Sequence, residues 1–232
     1  MLLKFDKFII EGKYDRITGI SVDELWKVIK LTKLSFDLDR KKYSKYIEID
    51  IDHNFSGPIE FDLKLKIKRD SNYRKSIIIP NDYGFYIDGK CDALIGVIYI
   101  ILELDPNKEP YCYNNLNLML QDVIRHEIEH LTHEGYNRLS DRPNPDNSNE
   151  LRYNISGVDS YLYFILEDEL TPMIQGMYRK AKTSKKSITT IFNEYLDIMV
   201  DSGILKDYNR ELIYDEWVKE AKRLLPNAKF DK

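Results

Sequence analysis

The sequence predicts an α+β protein in which a sheet-rich part, residues 1–110, precedes a helical part, residues 111–232. In the first part, the segments 47–51 and 59–67 alternate apolar and charged residues, as half-buried strands do. After Asn115 the apolar residues recur at helical spacing instead. Strands followed by helices are typical of the α+β class. The length fits one domain, which we expect to span the whole chain.

The elements of the first part follow from local signals. A first helix is predicted over 21–36, because Ser21 and Glu24 stand in capping-box spacing before an apolar face. The turn-forming letters NFSGP between the two alternating strands predict a hairpin or meander. A short third strand is predicted at 76–80, and a β-branched strand at 94–104.

The second part has helical periodicity with one interruption. The first of its helices is predicted to run from Leu116 to a C-cap at Gly135. The polar segment 140–150, with two prolines, is predicted to be a loop, either a lid or a surface excursion. Helical patterns continue until Pro226, and Cys91 and Cys112 are expected to be free thiols.

Composition excludes several classes of partner. A net charge of −4 provides no field that would hold nucleic acid or an anionic membrane surface, so neither partner is expected. The longest apolar run, residues 93–102, is about half the ~20 residues that a membrane-spanning helix needs. Charged residues interrupt the start of the chain where an export signal needs an apolar run, which predicts a cytoplasmic protein.

The histidines indicate a metal site. Three of the four histidines lie within 122–137, and two of them frame the sequence His126-Glu127-Ile128-Glu129-His130. Residues i and i+4 share one helix face, so the imidazoles of His126 and His130 can reach a single ion. Zinc accepts neutral imidazole and, in catalytic sites, three protein ligands. The pattern therefore predicts one Zn²⁺ per chain.

Glu127 has the position expected of a general base. It follows His126 directly, about 100° round the helix, so its carboxylate can flank the metal without being a ligand and take a proton from water. Asp122 lies one turn before His126, where it can either orient an imidazole or remain a solvated charge. His53 is expected to be a surface residue.

The third ligand has to come from another part of the chain. Glu167, Asp168 and Glu169 are candidates, since all three lie beside an apolar run. Thr171-Pro172 has the form of an N-cap followed by proline at the first helical position, which predicts Glu169 just before a helix start or at a kink. His133, one turn beyond His130, and Glu167 stay open as alternatives to Glu169.

The helix with two histidines, followed by a glutamate-bearing helix, is similar to the gluzincin zinc peptidases. The stretches DVIRHEIEHLT and YFILEDELTPMIQGMYRKAKTSKKSITTIFNEYL resemble predicted metallopeptidases encoded by tailed bacteriophages, over roughly residues 94–196. The resemblance implies a zincin-like fold, His126, His130 and Glu169 as zinc ligands, and Glu127 as catalytic base. A second acid two positions after the ligand glutamate, common in neighbouring families, is Thr171 here.

The resemblance also implies a reaction and a partner. The reaction is hydrolysis of a peptide bond in a protein or peptide substrate, which would lie extended along an edge strand, with 94–104 as the candidate. Tyr153, Tyr161 and Tyr163 are candidates for stabilising the oxyanion. The alternative is a catalytically silent zincin-fold protein, structural, virion-associated or regulatory, that uses the metal for stability. A phage origin would place the protein in the host cytoplasm or in the virion.

Overall fold

The structure, a computed structural model, describes residues 2–39, 42–49, 61–75, 79–132 and 157–231. These ranges form five α-helices and four strands. The helices are α1 (Leu2–Asp39), α2 (Tyr113–Thr132), α3 (Glu167–Ser184), α4 (Ile188–Asp201) and α5 (Asp207–Leu224), and the strands are β1 (Tyr43–Ile49), β2 (Asp62–Arg69), β3 (Phe85–Asp92) and β4 (Val97–Leu104). Two 3₁₀ segments, Asn81–Tyr83 and Gly157–Ile165, accompany them.

The four strands form one mixed sheet in the order β1-β2-β4-β3. The pairs β1-β2 and β3-β4 are antiparallel, whereas β2 and β4 are parallel. Strand β4 therefore lies inside the sheet, and among the described residues β3 forms an edge. The prediction that 94–104 is the edge strand available to a substrate is wrong, because β2 and β3 occupy both of its sides.

The α+β class is confirmed, with a sheet within residues 43–104 and helices both before it (α1) and after it (α2 to α5). The two alternating segments are confirmed as strands β1 and β2, which pair antiparallel with Ile49 opposite Leu63, and the turn letters NFSGP, residues 54–58, lie outside the described residues. Strand β4 begins at Val97 rather than at residue 94, because Gly96, at φ 66°, belongs to a turn in which the Asp92 carboxylate accepts a hydrogen bond from the Leu94 N–H. Within the predicted third strand, residues 76–78 lie outside the described ranges, and 79–80 are not in a strand. Strand β3 was not predicted.

Helix α1 begins far earlier than the sequence predicts. It runs from Leu2, so Ser21 is not an N-cap but a buried residue in mid-helix. Its hydroxyl lacks a hydrogen-bond partner within the part of the chain that the structure describes. The capping-box spacing was misleading because residues 2–20 continue the helix, and the N–H groups at Ser21 and beyond then bond to preceding carbonyls.

One cluster of buried apolar residues joins the sheet to the helices. Alternate residues of β2 and β4 face it, with Leu63 opposite Ile98 and Leu65 opposite Ile100. Helix α2 lies at its centre, in contact with α1, α3 and β3. Cys91 and Cys112 are free thiols, as predicted. Within the described ranges, no helix has the length and apolarity needed to cross a membrane.

A buried ion pair connects the sheet to the start of α2. The guanidinium of Arg69, at the end of β2, donates to both carboxylate oxygens of Glu109 at 3.2 and 3.3 Å. It also donates to the Thr32 hydroxyl at 2.8 Å and to the Ile29 carbonyl at 2.7 Å, both on α1. The Tyr113 hydroxyl, in the first turn of α2, donates to Glu109 as well, at 3.2 Å. Both charged side chains are fully buried, and their hydrogen bonds compensate their desolvation.

We expect Arg69→Met to destabilise the protein by about 3–5 kcal/mol, because Glu109 would keep a buried charge without its main partner. Chemical denaturation would measure the change in the free energy of unfolding. Adding Glu109→Gln to Arg69→Met should recover part of the loss, since the buried charge is then removed. Arg210→Met is the control; it removes a guanidinium paired with the exposed Asp197 and should cost at most about 1 kcal/mol. An equal loss from the two arginine variants would contradict the role given to Arg69.

Candidate metal site

Helix α2 presents its two histidines beside its apolar face. Leu120, Ile124 and Ile128 point into the core, while His126 and His130 are 21% and 17% exposed. The two Nε2 atoms lie 3.0 Å apart, and the ring centroids are 4.8 Å apart. The i, i+4 spacing therefore directs both imidazoles toward one point, as predicted.

Glu169 of helix α3 faces the same point. Its Oε2 lies 3.6 Å from His126 Nε2 and 3.7 Å from His130 Nε2, and its side chain is almost completely buried. Among the described residues, these three form a group of metal-ligating side chains with all donor atoms within 4.8 Å of one another. The structure thus brings together the three residues that the sequence proposed, and their role as ligands stays a prediction.

The spacing of the three donors fits a tetrahedral ion. Zinc ligands lie at about 2.0–2.2 Å, so two of them separated by the tetrahedral angle are about 3.3–3.5 Å apart. The observed separations of 3.0, 3.6 and 3.7 Å lie on both sides of that value. Small side-chain rotations would be enough to place all three donors on one ion. Two neutral nitrogens and one carboxylate oxygen are also a donor set that zinc accepts.

Close packing of α3 against α2 positions Glu169. At Gly176 of α3, a Cβ atom would lie 2.4 Å from Asp122 Oδ1, 2.8 Å from the Asp122 carbonyl oxygen and 3.3 Å from His126 Cβ. No side chain fits there without separating the helices. Asp122 itself is buried and accepts a hydrogen bond from the Tyr195 hydroxyl of α4. The solvated position considered for Asp122 is therefore wrong, because α3 and α4 cover it.

A second contact connects α2 to α3 on the other side of the motif. The buried Arg125 donates to Glu129 Oε2 at 2.6 Å and to the Gln175 side-chain oxygen of α3 at 2.9 Å. Its guanidinium also lies 5.2 Å from the centre of the Tyr14 ring of α1. Glu129, the other acid within the motif, is therefore paired with Arg125, whereas Glu127 interacts with His130 and Glu169.

The electrostatics of the site favour metal binding. Burial, together with the neighbouring His130, lowers the pKa of His126 to about 3, although Glu169 acts in the opposite direction. His126 is therefore neutral at neutral pH, as a metal ligand has to be. Two imidazoles and a buried carboxylate at these distances form an arrangement that a divalent ion would stabilise.

Glu127 lies between α2 and the edge strand β3. Burial raises the pKa of its carboxyl group to about 7; His130 and a hydrogen bond from the Cys91 N–H lower it, and Glu169 and Asp88 raise it. The carboxylate packs against Gly89, where a Cβ atom would lie 2.7 Å from Glu127 Oε1. In the metal-free protein, the Glu127 carboxyl group therefore titrates near neutral pH.

Other predicted residues have different outcomes. His53, His133, Tyr153 and the segment 140–150 lie outside the described residues, as do the side chains of Glu167 and Asp168. Helix α3 begins at Glu167, so the predicted start at Thr171-Pro172 is wrong and Pro172 lies inside the helix. The first-turn hydrogen bonds from the Glu169 and Leu170 N–H groups to the Leu166 carbonyl start the helix earlier. Tyr161 and Tyr163 lie on the 3₁₀ segment Gly157–Ile165.

The sequence did not identify Gly89, Cys91 and Gly176 as parts of the site. Glycine within a strand can mark a close backbone approach, and this was the only signal that Gly89 offered. Cys91 contributes its main-chain N–H, which every residue except proline has. Gly176 matters only because another helix approaches it. None of these contributions can be recognised without the packing.

We expect Glu127→Gln to stabilise the metal-free protein at pH 8 relative to wild type. The pKa of Glu127 is about 7 in the folded state against 4.5 ordinarily, so ionisation costs folding free energy as pH rises from about 4.5 through 7. At about 1.4 kcal/mol per pKa unit, the advantage of the amide should reach about 3.5 kcal/mol at pH 8 and vanish below pH 4.5. Denaturation of the chelator-treated protein at several pH values measures it. Glu211→Gln, on the exposed face of α5, should show no such trend; a pH-independent difference for Glu127→Gln would contradict the burial argument.

Comparisons of the chain with protein-family models, with curated proteins and with solved structures find no match. Inference about function therefore depends on the chemistry of His126, His130, Glu169 and Glu127 and on the way the fold holds them.

Proposed function

We propose that the protein is a zinc-dependent peptidase with a zincin-like arrangement, in which His126, His130 and Glu169 bind the metal and Glu127 is the general base. The observation that carries the proposal is the convergence of three donors at near-tetrahedral separations, with a fourth, acidic side chain beside them. A purely structural zinc site is closed by four protein ligands and has no use for an adjacent base.

The residues divide into those that would hold the ion and one that would move protons. Bound zinc supplies a Lewis acid that polarises a carbonyl group and acidifies water. Glu127 would accept the proton of the attacking water and deliver it to the leaving amine. The burial that raises the pKa of Glu127 in the metal-free protein also favours its carboxylate as an acceptor of that proton.

The expected substrate is an extended segment of a protein or peptide. Strand β3 forms an edge of the sheet among the described residues, and it contacts both Glu127 and the α2 helix. A peptide can add to such an edge through main-chain hydrogen bonds. We therefore propose β3, and not 94–104, as the edge strand along which the substrate would lie. The substrate backbone would then run next to the proposed base.

We expect the folded protein to bind about one zinc per chain, and His126→Ala, His130→Ala and Glu169→Ala each to weaken binding by at least about tenfold, because the remaining ligands compete poorly with water. Titration of the metal-free protein with zinc against a competing chelator measures the affinities. Glu167→Ala and His133→Ala are the matched controls for the third ligand. If either of them loses zinc while Glu169→Ala retains it, the assignment of Glu169 is wrong; full metal retention in the His126/His130 double variant would reject the site.

We expect Glu127→Gln to retain zinc while hydrolysis of an unstructured protein substrate falls by about 10²–10⁴-fold, because the amide cannot accept the proton. Initial rates and zinc content are measured on the same preparations. Glu129→Gln, a change at the other glutamate of the motif, should keep most of the activity, since Glu129 bonds to Arg125 instead. Equal rates for wild type and Glu127→Gln would remove Glu127 as the base. A zinc-loaded wild type that cleaves nothing would favour the catalytically silent alternative.

A further inference from the structure

We propose that the edge strand β3 positions the catalytic base: the bare Cα of Gly89 and the main-chain N–H of Cys91 together hold the Glu127 carboxylate in place. This inference rests on the proposed function for its catalytic consequence, whereas the contact itself can be tested without it. It makes Gly89 and Cys91 positioning residues, because they act through Glu127.

The first part of the argument is steric. A Cβ atom at position 89 would lie 2.7 Å from Glu127 Oε1, 3.0 Å from Glu127 Cγ and 2.6 Å from Val123 Cγ1. These distances are too short for any side chain, so α2 packs directly on the main chain of β3. The space that an alanine methyl would need is the space that the Glu127 carboxylate occupies.

The second part concerns the direction of the main-chain groups. The Gly84 carbonyl accepts a hydrogen bond from the Asp105 N–H, so at this position the main-chain groups of the chain point toward β4. Main-chain groups alternate in direction along a strand, so residues an odd number of positions apart point to opposite sides. Cys91 is seven residues beyond Gly84 in the same register, opposite Ile98. Its N–H therefore points away from β4, toward the open edge of the sheet. The Glu127 carboxylate accepts it and gives it the partner that an edge strand otherwise lacks.

The consequence is a pre-organised base. A glutamate side chain has several rotatable bonds, and a free carboxylate on a helix surface would sample many directions. Contact with the strand on one side and a hydrogen bond at its oxygen restrict it to one. Catalytic groups displaced by about 1 Å can lose about 10²-fold in rate, so such restraint has a measurable effect.

Amide hydrogen exchange tests the contact independently of activity. In the metal-free protein, the Cys91 N–H should exchange at least about tenfold faster in Glu127→Ala than in wild type, because its acceptor is gone. The neighbouring Lys90 N–H is the internal control, since the alternation directs it toward β4 opposite Tyr99, and its exchange should not change. Equal exchange of Cys91 in both proteins, or equal acceleration of both amides, would overturn the inference.

Rate measurements test the consequence. The reference protein for this comparison is the Val123→Ala variant. It lacks the Val123 contact, so the group that a methyl at position 89 would meet is Glu127. Adding Gly89→Ala to it should lower kcat by about 10²-fold, while zinc content stays at about one per chain and KM changes little. Gly19→Ala is the matched control; its Cβ would meet only Arg179 at an ordinary 3.6 Å, and kcat should not change.

A double-mutant cycle separates positioning from general damage. In the Glu127→Asp background the shorter side chain no longer meets the methyl group, so Gly89→Ala should cost much less there. An equal cost in both backgrounds would mean that position 89 acts on folding and not on the base. If Gly89→Ala does not fold, Cys91→Pro is the second variant. It removes one outward N–H from an edge strand, where proline is tolerated, and kcat unchanged in it would also overturn the inference.

The two readouts distinguish the possible failures. If the zinc-loaded wild-type protein hydrolyses no substrate, the proposed function is rejected. Amide exchange then still decides whether β3 holds Glu127 in place. Hydrolysis that depends on Glu127 but not on Gly89 or Cys91 keeps the proposed function and rejects the positioning role.

Discussion

The close approach of helices α2 and α3 at Gly176 is the constraint on which the site depends. With a side chain at that position, α3 could not lie against Asp122 and His126. Glu169, two turns before Gly176 on α3, would then not reach the two histidines. Hydrogen bonds from Arg125 to Gln175 and from Arg179 to Gln121 join α2 to α3, and Tyr195 of α4 donates to Asp122 of α2. The candidate metal site formed by these three residues is therefore a product of helix packing.

The same packing places two acidic side chains close together. Glu127 and Glu169 are both buried near the two imidazoles, and Glu169 helps to raise the pKa of Glu127. Burying two carboxyl groups side by side costs folding free energy, and a divalent cation bound there would reduce that cost. Stability and proposed function are thus opposed at this point, as they often are where groups are held for chemistry.

At the other end of α2, the buried charge of Arg69 is compensated by hydrogen bonds within the protein. The fully buried Arg69 distributes its hydrogen bonds over Glu109, Thr32 and Ile29, and so joins the end of β2 to α1 and to the segment before α2. This network sets where α2 begins relative to the sheet. Further along α2, Glu127 packs against Gly89 of β3, while Glu129 pairs with Arg125. The ion pair and the site lie at opposite ends of the same helix.

The sequence by itself determined the local features of this protein. Two histidines four residues apart share a helix face whatever surrounds them, and alternating residues such as those of β2 indicate a half-buried strand, because both patterns follow from the repeat of one element. Tertiary structure decided what depends on two elements: that β4 is internal and β3 an edge, that Glu169 meets the histidines, and that Gly89 admits Glu127. The early start of α1 and the position of Pro172 inside α3 belong here too, since capping signals act only where the neighbouring chain does not continue the helix. Pairing and packing join residues far apart in the chain, and no local spacing records which of them will meet.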